Sequence, residues 1–158
     1  MPDMLDRPTT FGALKQHPSY GQTSRVHRTV KDEMRQNLMR KLQARETLFP
    51  GIIGYKETVI PQITNAILSK HNMVLLGLRG QAKSRILRGL IEYLDEDIPV
   101  IAGCEINDNP FAPICRYCRL RLEQDGDQTP ITFLPREARY VEKLATPGRH
   151  HRRHHRRH

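Results

Sequence analysis

Residues 73–94 read MVLLGLRGQAKSRILRGLIEYL: an apolar run, a short basic loop and a helix-like stretch in succession. The run MVLL at 73–76 is short, apolar and bounded by turn residues, which predicts a strand buried on both faces. From Lys83 to about Leu94 apolar residues recur on one side, which predicts a helix. Gly89 inside it costs about 1 kcal/mol relative to alanine, and such an apolar face can absorb that cost. The order strand, loop, helix is typical of an α/β fold.

The loop between these two elements has the spacing of a phosphate-binding motif. In G-x-x-x-x-G-K-[ST], successive backbone N–H groups curl around a phosphate at the positive end of a helix. The lysine reaches the β and γ phosphates, and the hydroxyl after it binds Mg²⁺. GLRGQAKS places Gly77, Gly80, Lys83 and Ser84 at the required spacing; only Ala82 departs, because its Cβ crowds a position that glycine usually fills. A basic strand-to-helix turn without a ligand is the alternative interpretation.

Two helices are predicted before this loop. Over 23–48 apolar residues recur every four positions, which draws one stripe along a helix whose other faces are mostly basic. The stripe consists of Val26, Val30, Met34, Leu38 and Leu42. Phe49-Pro50-Gly51 breaks that helix. A second helix is predicted over 58–70, with Thr58 as its N-cap and Pro61 in the first turn, where the missing N–H is harmless.

The other segments carry weaker signals. Residues 1–22 hold three prolines and two glycines without any period, which predicts an unfolded leader. The run 99–102 predicts a second strand. Residues 104–135 are rich in proline, turn residues and charge, with one short helix expected near 117–123. The three acids at 95–97 follow a helix instead of an apolar strand, so they are interpreted as a solvated turn.

Composition sets bounds on class and partners. A chain of 158 residues and 18.4 kDa fits one domain with a sizeable core. Five of its basic residues are arginines after residue 148, and without them 21 basic and 17 acidic residues leave a charge of +4 instead of +9. That balance is weak evidence for a polyanionic partner. No run resembles a membrane span or a secretion signal, so we expect a cytoplasmic protein without a membrane partner.

The cysteines allow several interpretations. They are Cys104, Cys115 and Cys118, an odd number, which argues against a disulfide framework. Cys115 and Cys118 have the CxxC spacing that zinc or a redox couple uses, but zinc needs four ligands, and a fourth is not evident unless the histidines at the C-terminus count. Ordinary reduced cysteines are the simplest interpretation. Glu105, Asp108 and Asp127 have no spacing that supports acid–base chemistry, so they are interpreted as solvated charges.

Four stretches of the chain resemble one family. They are LFPGIIGY at 48–55, MVLLGLRGQAKSRILRGL at 73–90, AGCEINDNPF at 102–111 and RYVEKLATP at 139–147. Over about residues 25–147 the chain resembles the N-terminal part of the magnesium-chelatase-like AAA+ ATPases, which are relatives of the chelatase ATPase subunit and of the MoxR-type ATPases. Related AAA+ proteins such as the minichromosome maintenance helicases also place an alanine before the lysine, so Ala82 is compatible with phosphate binding.

This resemblance implies a site for ATP and Mg²⁺. Lys83 would be the phosphate ligand and Ser84 the Mg²⁺ ligand. The N–H groups that wrap the phosphates would belong to Gly77, Leu78, Arg79, Gly80, Gln81 and Ala82. Ile53, Gly54 and Tyr55 fall where the family places contacts to the adenine. Ile53 would serve equally well as a core residue at the start of the domain.

The resemblance also implies a fold. It is an α/β architecture, a partial P-loop AAA+ domain with a parallel sheet and flanking helices over 49–147, preceded by the helix at 23–48 and incomplete at the C-terminus. The parent sheet has five parallel strands, with the first between the fourth and fifth. Only the first two strands are expected here, so the first would lack both neighbours. Because unpaired buried backbone groups cost about 1–3 kcal/mol each, we expect low stability.

Function follows from the same resemblance. Hydrolysis needs an acidic motif, a sensor residue and arginines that come later in the family and are not found in this sequence, so we expect ATP binding without turnover. Full-length members form homo-hexameric rings, often with a partner that contains a von Willebrand factor A domain. They use ATP to remodel a protein partner or to drive metal insertion. The alternative is a basic nucleic-acid-binding module built on helix 23–48 and the C-terminal residues, although nucleic acid is the less favoured partner.

Residues 148–158, GRHHRRHHRRH, contain five histidines and five arginines. A metal or affinity tag, a nucleic-acid-binding tail, and sequence never selected as protein are the three interpretations. Dropping one base from one allowed set of codons gives DVTIADIIGDI, which resembles how the family continues after LATP. We therefore expect this tail to be disordered and to result from a single-base shift after Pro147, which the nucleotide sequence of the locus tests.

Overall fold

The computed structural model describes residues 7–21, 28–78 and 80–143. Within these ranges the chain forms five α-helices and one strand pair, and no helix there has the length and apolar character to cross a membrane. The helices are α1 (Phe11–Gln16), α2 (Val30–Gln43), α3 (Val59–Leu68), α4 (Lys83–Gly89) and α5 (Arg116–Asp125). The strands are β1 (Asp97–Ile101) and β2 (Ile131–Pro135), and 3₁₀ helices lie at Leu90–Tyr93, Gly126–Gln128 and Arg136–Arg139.

The strands β1 and β2 pair antiparallel, from Asp97 opposite Pro135 to Ile101 opposite Ile131. The predicted fold class, a parallel sheet of a P-loop AAA+ domain, is therefore wrong. A strand was correctly expected near 99–102, but its neighbour is reached differently. Parallel pairing needs a crossover that returns the chain to the same end of the sheet. Here the segment that contains α5 returns the chain to the end at which β1 finishes, so that β2 begins beside Ile101 and runs in the opposite direction.

Helices α2, α3 and α4 enclose the first of two hydrophobic clusters, which we name the helical core. Its buried residues are Leu38, Phe49, Ile52, Ile60, Ile63, Ile67, Ile86 and Tyr93. Helix α3 confirms the helix predicted at 58–70, with Pro61 in its first turn, although the Thr58 side chain makes no capping hydrogen bond. Three isoleucines of α3 supply its buried face. The core therefore forms where the apolar period was strongest.

Helix α2 lies inside the predicted 23–48 segment and begins at a capping box. The Thr29 hydroxyl accepts from the Asp32 N–H, and the Asp32 carboxylate accepts from the Thr29 N–H. Of the predicted stripe, Leu38 is fully buried, while Val30 and Leu42 are 55% and 41% exposed. A repeat of four residues drifts about 40° per step around a helix of 3.6 residues per turn, so the ends of the stripe leave the buried face. Val26, the first member of the stripe, lies outside the described residues.

The segment 73–76 is not the doubly buried strand that its composition predicts. It belongs to no strand within the described ranges. Met73 and Leu75 pack against the helical core, whereas Val74 and Leu76 are 82% and 89% exposed. This alternation is typical of an extended segment with one face covered. The second face is exposed because no neighbouring strand or helix of the described chain covers it.

Helix α4 is shorter than the predicted helix because it changes to 3₁₀ geometry after Gly89. The glycine allows a close approach of the Phe49 ring, since an added Cβ would lie only 3.1 Å from Phe49 Cδ1. Phe49 also packs against Tyr93, with ring centroids 5.3 Å apart. The cost of glycine inside this helix is thus offset by packing between two buried aromatic rings.

Strands β1 and β2, with α1 and α5, enclose a second cluster, the sheet core. It consists of Leu14, Tyr20, Ile101, Cys118 and Ile131. Residues 7–21 therefore differ from the unfolded leader expected at 1–22: the Phe11 N–H donates to the Thr129 carbonyl at 2.9 Å, and the Ile131 N–H donates to the Thr9 carbonyl at 2.9 Å. Leu14 is fully buried. These backbone bonds and the buried side chain of Leu14 hold the segment against the sheet core, and residues 1–6 lie outside the described ranges.

A buried charge network joins α2 to the segments that flank the sheet. Glu33 on α2 is 5% exposed, and its carboxylate accepts two hydrogen bonds from Arg139, at 2.8 and 2.6 Å. It also accepts from the Asp95 N–H at 2.7 Å. The Asp95 carboxylate in turn accepts from Arg28 at 2.8 Å and from Asn37 at 2.9 Å. The bidentate pair fixes the position of Arg139 after β2, and the bond from the Asp95 N–H fixes the turn before β1.

The acids at 95–97 are consequently not the solvated turn that their sequence context predicts. Asp97 is buried, accepts from the Tyr20 hydroxyl at 2.8 Å and pairs with Arg7. Asp95 is only partly exposed and belongs to the Glu33 network. Only Glu96 points to solvent. The sequence interpretation is wrong because the partners, Arg7, Tyr20 and Arg28, are far away along the chain.

Replacing Glu33 with glutamine tests this network. We expect Glu33→Gln to lower the free energy of unfolding by about 3 kcal/mol or more, because a buried guanidinium loses its charged partner. The exposed Glu123→Gln on α5 is the matched control and should change stability by less than about 0.5 kcal/mol. Urea denaturation followed by circular dichroism measures both variants. Equal stability of the two variants would contradict the network as a structural link.

Candidate nucleotide-binding loop

The candidate loop, residues 77–84, connects the extended segment 73–76 to α4. Its described residues are mostly exposed, and Arg79 lies outside the described ranges. Gly80 has φ of +83°, a conformation that favours glycine. An added Cβ at Gly77 would lie 2.1 Å from Gln81 Oε1, so a larger residue there would displace the Gln81 side chain. The two glycines thus serve different purposes. Gly80 allows the turn, and Gly77 allows the Gln81 side chain to approach the backbone closely.

The Lys83 ammonium turns back into the loop. Its Nζ donates to the Gly77 carbonyl at 2.8 Å and to the Leu78 carbonyl at 2.5 Å. These bonds join Lys83, near the end of the loop, to the first two residues of the loop, and they hold a positive charge inside its curve. An anion that enters the curve would meet this charge at once. Lys83 is the predicted phosphate ligand, and the structure places its charged end next to the predicted cradle residues.

Ala82 occupies the N-cap position of α4 in the left-handed conformation, with φ of +54° and ψ of +14°. This is the conformation that glycine adopts without strain and that costs other L-residues about 1–2 kcal/mol. Alanine in place of the glycine of the motif therefore strains the backbone at this position. The chain still completes the turn with alanine, and the Ala82 carbonyl accepts the first helical hydrogen bond from the Ile86 N–H at 2.9 Å.

Ser84, the predicted Mg²⁺ ligand, lies in the first turn of α4 and is exposed. The first N–H groups of an α-helix have no partner within the helix, so those of Lys83, Ser84 and Arg85 are available to a ligand as far as the helix is concerned. Ser84 is the next residue after Lys83, whose ammonium enters the loop. The hydroxyl and the ammonium therefore belong to adjacent residues in the first turn of α4.

The segment predicted to contact adenine lies beside this loop. The Tyr55 hydroxyl donates to the Gln81 carbonyl at 3.4 Å, and the Tyr55 ring packs at the edge of the helical core. Ile53 is 90% exposed, so the alternative role that its sequence left open, a core residue, is excluded. Gly54 has φ of +84°, which turns the chain between them. The structure thus brings Tyr55 to the candidate loop and leaves Ile53 on the adjoining surface.

These features define a small domain with mixed helices and strands that carries a lysine-closed, glycine-containing turn before a helix. Over 72 residues the chain is 36% identical to the magnesium-chelatase subunit ChlI homolog of Methanocaldococcus jannaschii. The match covers 45% of this chain and 20% of the relative, so it spans about a fifth of that protein's length. No family model matches the chain, and no solved structure matches it significantly. The chain is therefore weakly similar to the chelatase-like family.

Substituting Ala82 tests the conformation of the loop. Because alanine is strained at positive φ, we expect Ala82→Gly to raise the free energy of unfolding by about 1 kcal/mol. The control is Ala66→Gly inside α3, where the same change should lower it by about 1 kcal/mol through lost helix propensity. Thermal unfolding of both variants measures the difference. A loss of stability in Ala82→Gly as large as that in Ala66→Gly would rule out the left-handed turn.

Proposed function

We propose that the candidate loop, with Ile53, Gly54 and Tyr55, binds ATP together with Mg²⁺. In this proposal the chain is the ATP-binding N-terminal portion of a magnesium-chelatase-like AAA+ ATPase. The observation that carries the proposal is the Lys83 ammonium, held inside the loop by the carbonyls of Gly77 and Leu78. The similarity to a chelatase subunit homolog supports it from the sequence side.

The residues present fit a triphosphate. Positive φ at Gly80 and Ala82 bends the loop, and the first N–H groups of α4 have no partner within the helix. A phosphate would draw the Lys83 ammonium away from two neutral carbonyls, because an anion is a stronger partner for a charged donor. Mg²⁺ bound to the nucleotide would neutralise charge between the β and γ phosphates. Ser84 would hold that ion through its hydroxyl.

The proposal assigns these residues to ATP binding. Hydrolysis of ATP would need further groups. Phosphoryl transfer needs a group that positions the attacking water and charges that stabilise the transition state. In this proposal the full-length form would hydrolyse ATP, assemble as a homo-hexameric ring with a partner that contains a von Willebrand factor A domain, and remodel a protein or drive metal insertion. The exposed apolar side chains of Val74 and Leu76, beside the loop, are compatible with a larger assembled form.

The rival function, a basic nucleic-acid-binding module, receives less support. Cations on and beside α2 already have partners: Arg28 pairs with Asp95, and Lys41 pairs with Glu46 at 2.8 Å. Arg40 donates to the Asn37 side chain at 2.9 Å. Ion pairs of this kind reduce the charge that is available to phosphates. The helix is basic in composition, but part of its charge is engaged within the domain.

Replacing Lys83 tests the nucleotide site directly. We expect Lys83→Ala to weaken binding of a fluorescent ATP analogue at least about tenfold, or 1.4 kcal/mol, because the only charge held inside the described part of the loop is lost. The control is Lys31→Ala, an exposed lysine on α2, which should leave the affinity unchanged. Fluorescence titration with Mg²⁺ present gives both values, and circular dichroism checks that the variants fold. Unchanged affinity in Lys83→Ala would exclude the proposed site.

The same pair of variants separates the two functions. If the chain were a nucleic-acid module, Lys31→Ala would weaken binding of a labelled oligonucleotide, and that binding would fall steeply with salt. For the nucleotide site we expect binding of the ATP analogue to depend on Lys83 and not on Lys31.

A further inference from the structure

A second cluster of polar side chains lies in the sheet core, away from the candidate loop. Cys104 follows the turn after β1, and Cys115 and Cys118 stand at the start of α5. Asp108 lies between them in sequence and is 5% exposed. One ligand atom from each of these four residues lies within 4.8 Å of all the others. The sequence singles out the three cysteines, with ordinary reduced thiols as the simplest interpretation, and predicts a solvated charge at Asp108, which is wrong because its side chain is buried.

The distances match a single metal ion better than a disulfide. Cys104 Sγ and Cys115 Sγ are 3.9 Å apart. A disulfide would hold them at about 2.0 Å. Two thiolates that each lie about 2.3 Å from a tetrahedral zinc ion are separated by about 3.8 Å, the length of one edge of the tetrahedron. A cluster of several iron atoms would need its four ligands farther apart than this group allows.

Backbone N–H groups are already directed at the sulfurs. The Asp108 N–H donates to Cys104 Sγ at 3.4 Å, and the Cys118 N–H donates to Cys115 Sγ at 3.3 Å. Such bonds stabilise negative charge on thiolates, as does the positive end of the ten-residue helix α5. The two cysteines of the CxxC pair thus reach the cluster from one helical turn, because Cys115 is the N-cap of α5.

Asp108 is held in position to act as the fourth ligand. Its Oδ2 accepts from the Ile114 N–H at 2.9 Å and from the Cys115 N–H at 2.8 Å. A carboxylate has about four acceptor sites, so these two bonds leave capacity for a metal ion. They also orient the carboxylate relative to the loop that carries Cys115, as outer hydrogen bonds commonly do for ligands in metal sites.

We propose that Cys104, Cys115, Cys118 and Asp108 bind one Zn²⁺ ion with tetrahedral geometry. Three thiolates and one carboxylate oxygen suit zinc, which accepts both sulfur and oxygen ligands. The site joins β1 to α5 inside the sheet core, where Cys118 is fully buried. A two-stranded sheet is marginal on its own, and small cores commonly need such a cross-link. The ion would therefore stabilise this half of the domain independently of the nucleotide site.

The test is metal binding by the full chain. After dialysis against a weak chelator we expect one zinc per chain by elemental analysis. Replacing zinc with Co²⁺ should produce sulfur-to-cobalt charge-transfer absorption, which only thiolate ligands give. This spectrum matters because the five histidines of residues 150–158 can also retain metal, but without sulfur bands. We expect Cys104→Ser, Cys115→Ser and Cys118→Ser each to lose charge-transfer intensity.

Asp108→Asn serves as the variant that is expected to keep the fold, since the amide oxygen can still accept the two backbone N–H groups. It should weaken Co²⁺ and Zn²⁺ binding at least about tenfold. The matched control is Glu105→Gln, the same change at an exposed position one residue after Cys104, which should bind as the unsubstituted chain does. Lys83→Ala should also retain zinc, which separates this site from the nucleotide site. The proposal is overturned if the chain shows no charge-transfer bands, or if Asp108→Asn binds as tightly as Glu105→Gln.

Discussion

The carboxylate of Glu33 connects the two halves of this small domain. On one side it belongs to α2, whose Leu38 enters the helical core. On the other side it receives Arg139, which follows β2, and the N–H of Asp95, which precedes β1. A buried carboxylate without such donors would cost several kcal/mol, so these contacts must form together. The helices and the strand pair are thereby held in one arrangement by polar contacts of fixed geometry.

The candidate loop is less constrained than this junction. It is exposed, it contains an alanine in a left-handed conformation, and its lysine binds the loop's own carbonyls. The contacts between this ammonium and the loop carbonyls involve no residue of either hydrophobic core. The adjacent Ile86, by contrast, is buried in the helical core.

The sequence predicted local elements better than their pairing. Helix α3 was predictable because its isoleucines recur at helical spacing, and α5 was expected as one short helix near 117–123. Strand β2 was missed, although Ile131, Thr132 and Phe133 are residues that favour strands. The antiparallel pairing of β1 and β2 and the exposed face of 73–76 could not be derived, because both depend on which distant segments meet. The resemblance to AAA+ proteins implied a parallel sheet, whereas the two strands in the described part of the chain pair antiparallel.

The residues of the two candidate sites also differ in how far the sequence predicted them. Lys83 and Gly77 were predicted from spacing, and the structure places the lysine ammonium on the glycine carbonyl. Asp108 was not predicted as part of the cysteine cluster, since carboxylates lack the fixed spacing of a CxxC pair and its burial depends on the fold. Its position four residues after Cys104 and seven before Cys115 was the available signal.

Calorimetric titration of the chain with ATP, ADP and AMP in the presence of Mg²⁺ tests the central claim most directly. If the Lys83 ammonium and the loop enclose the β and γ phosphates, ATP and ADP will bind and AMP will bind at least about tenfold more weakly. Absence of binding heat with all three nucleotides, or AMP bound as tightly as ATP, would contradict the account.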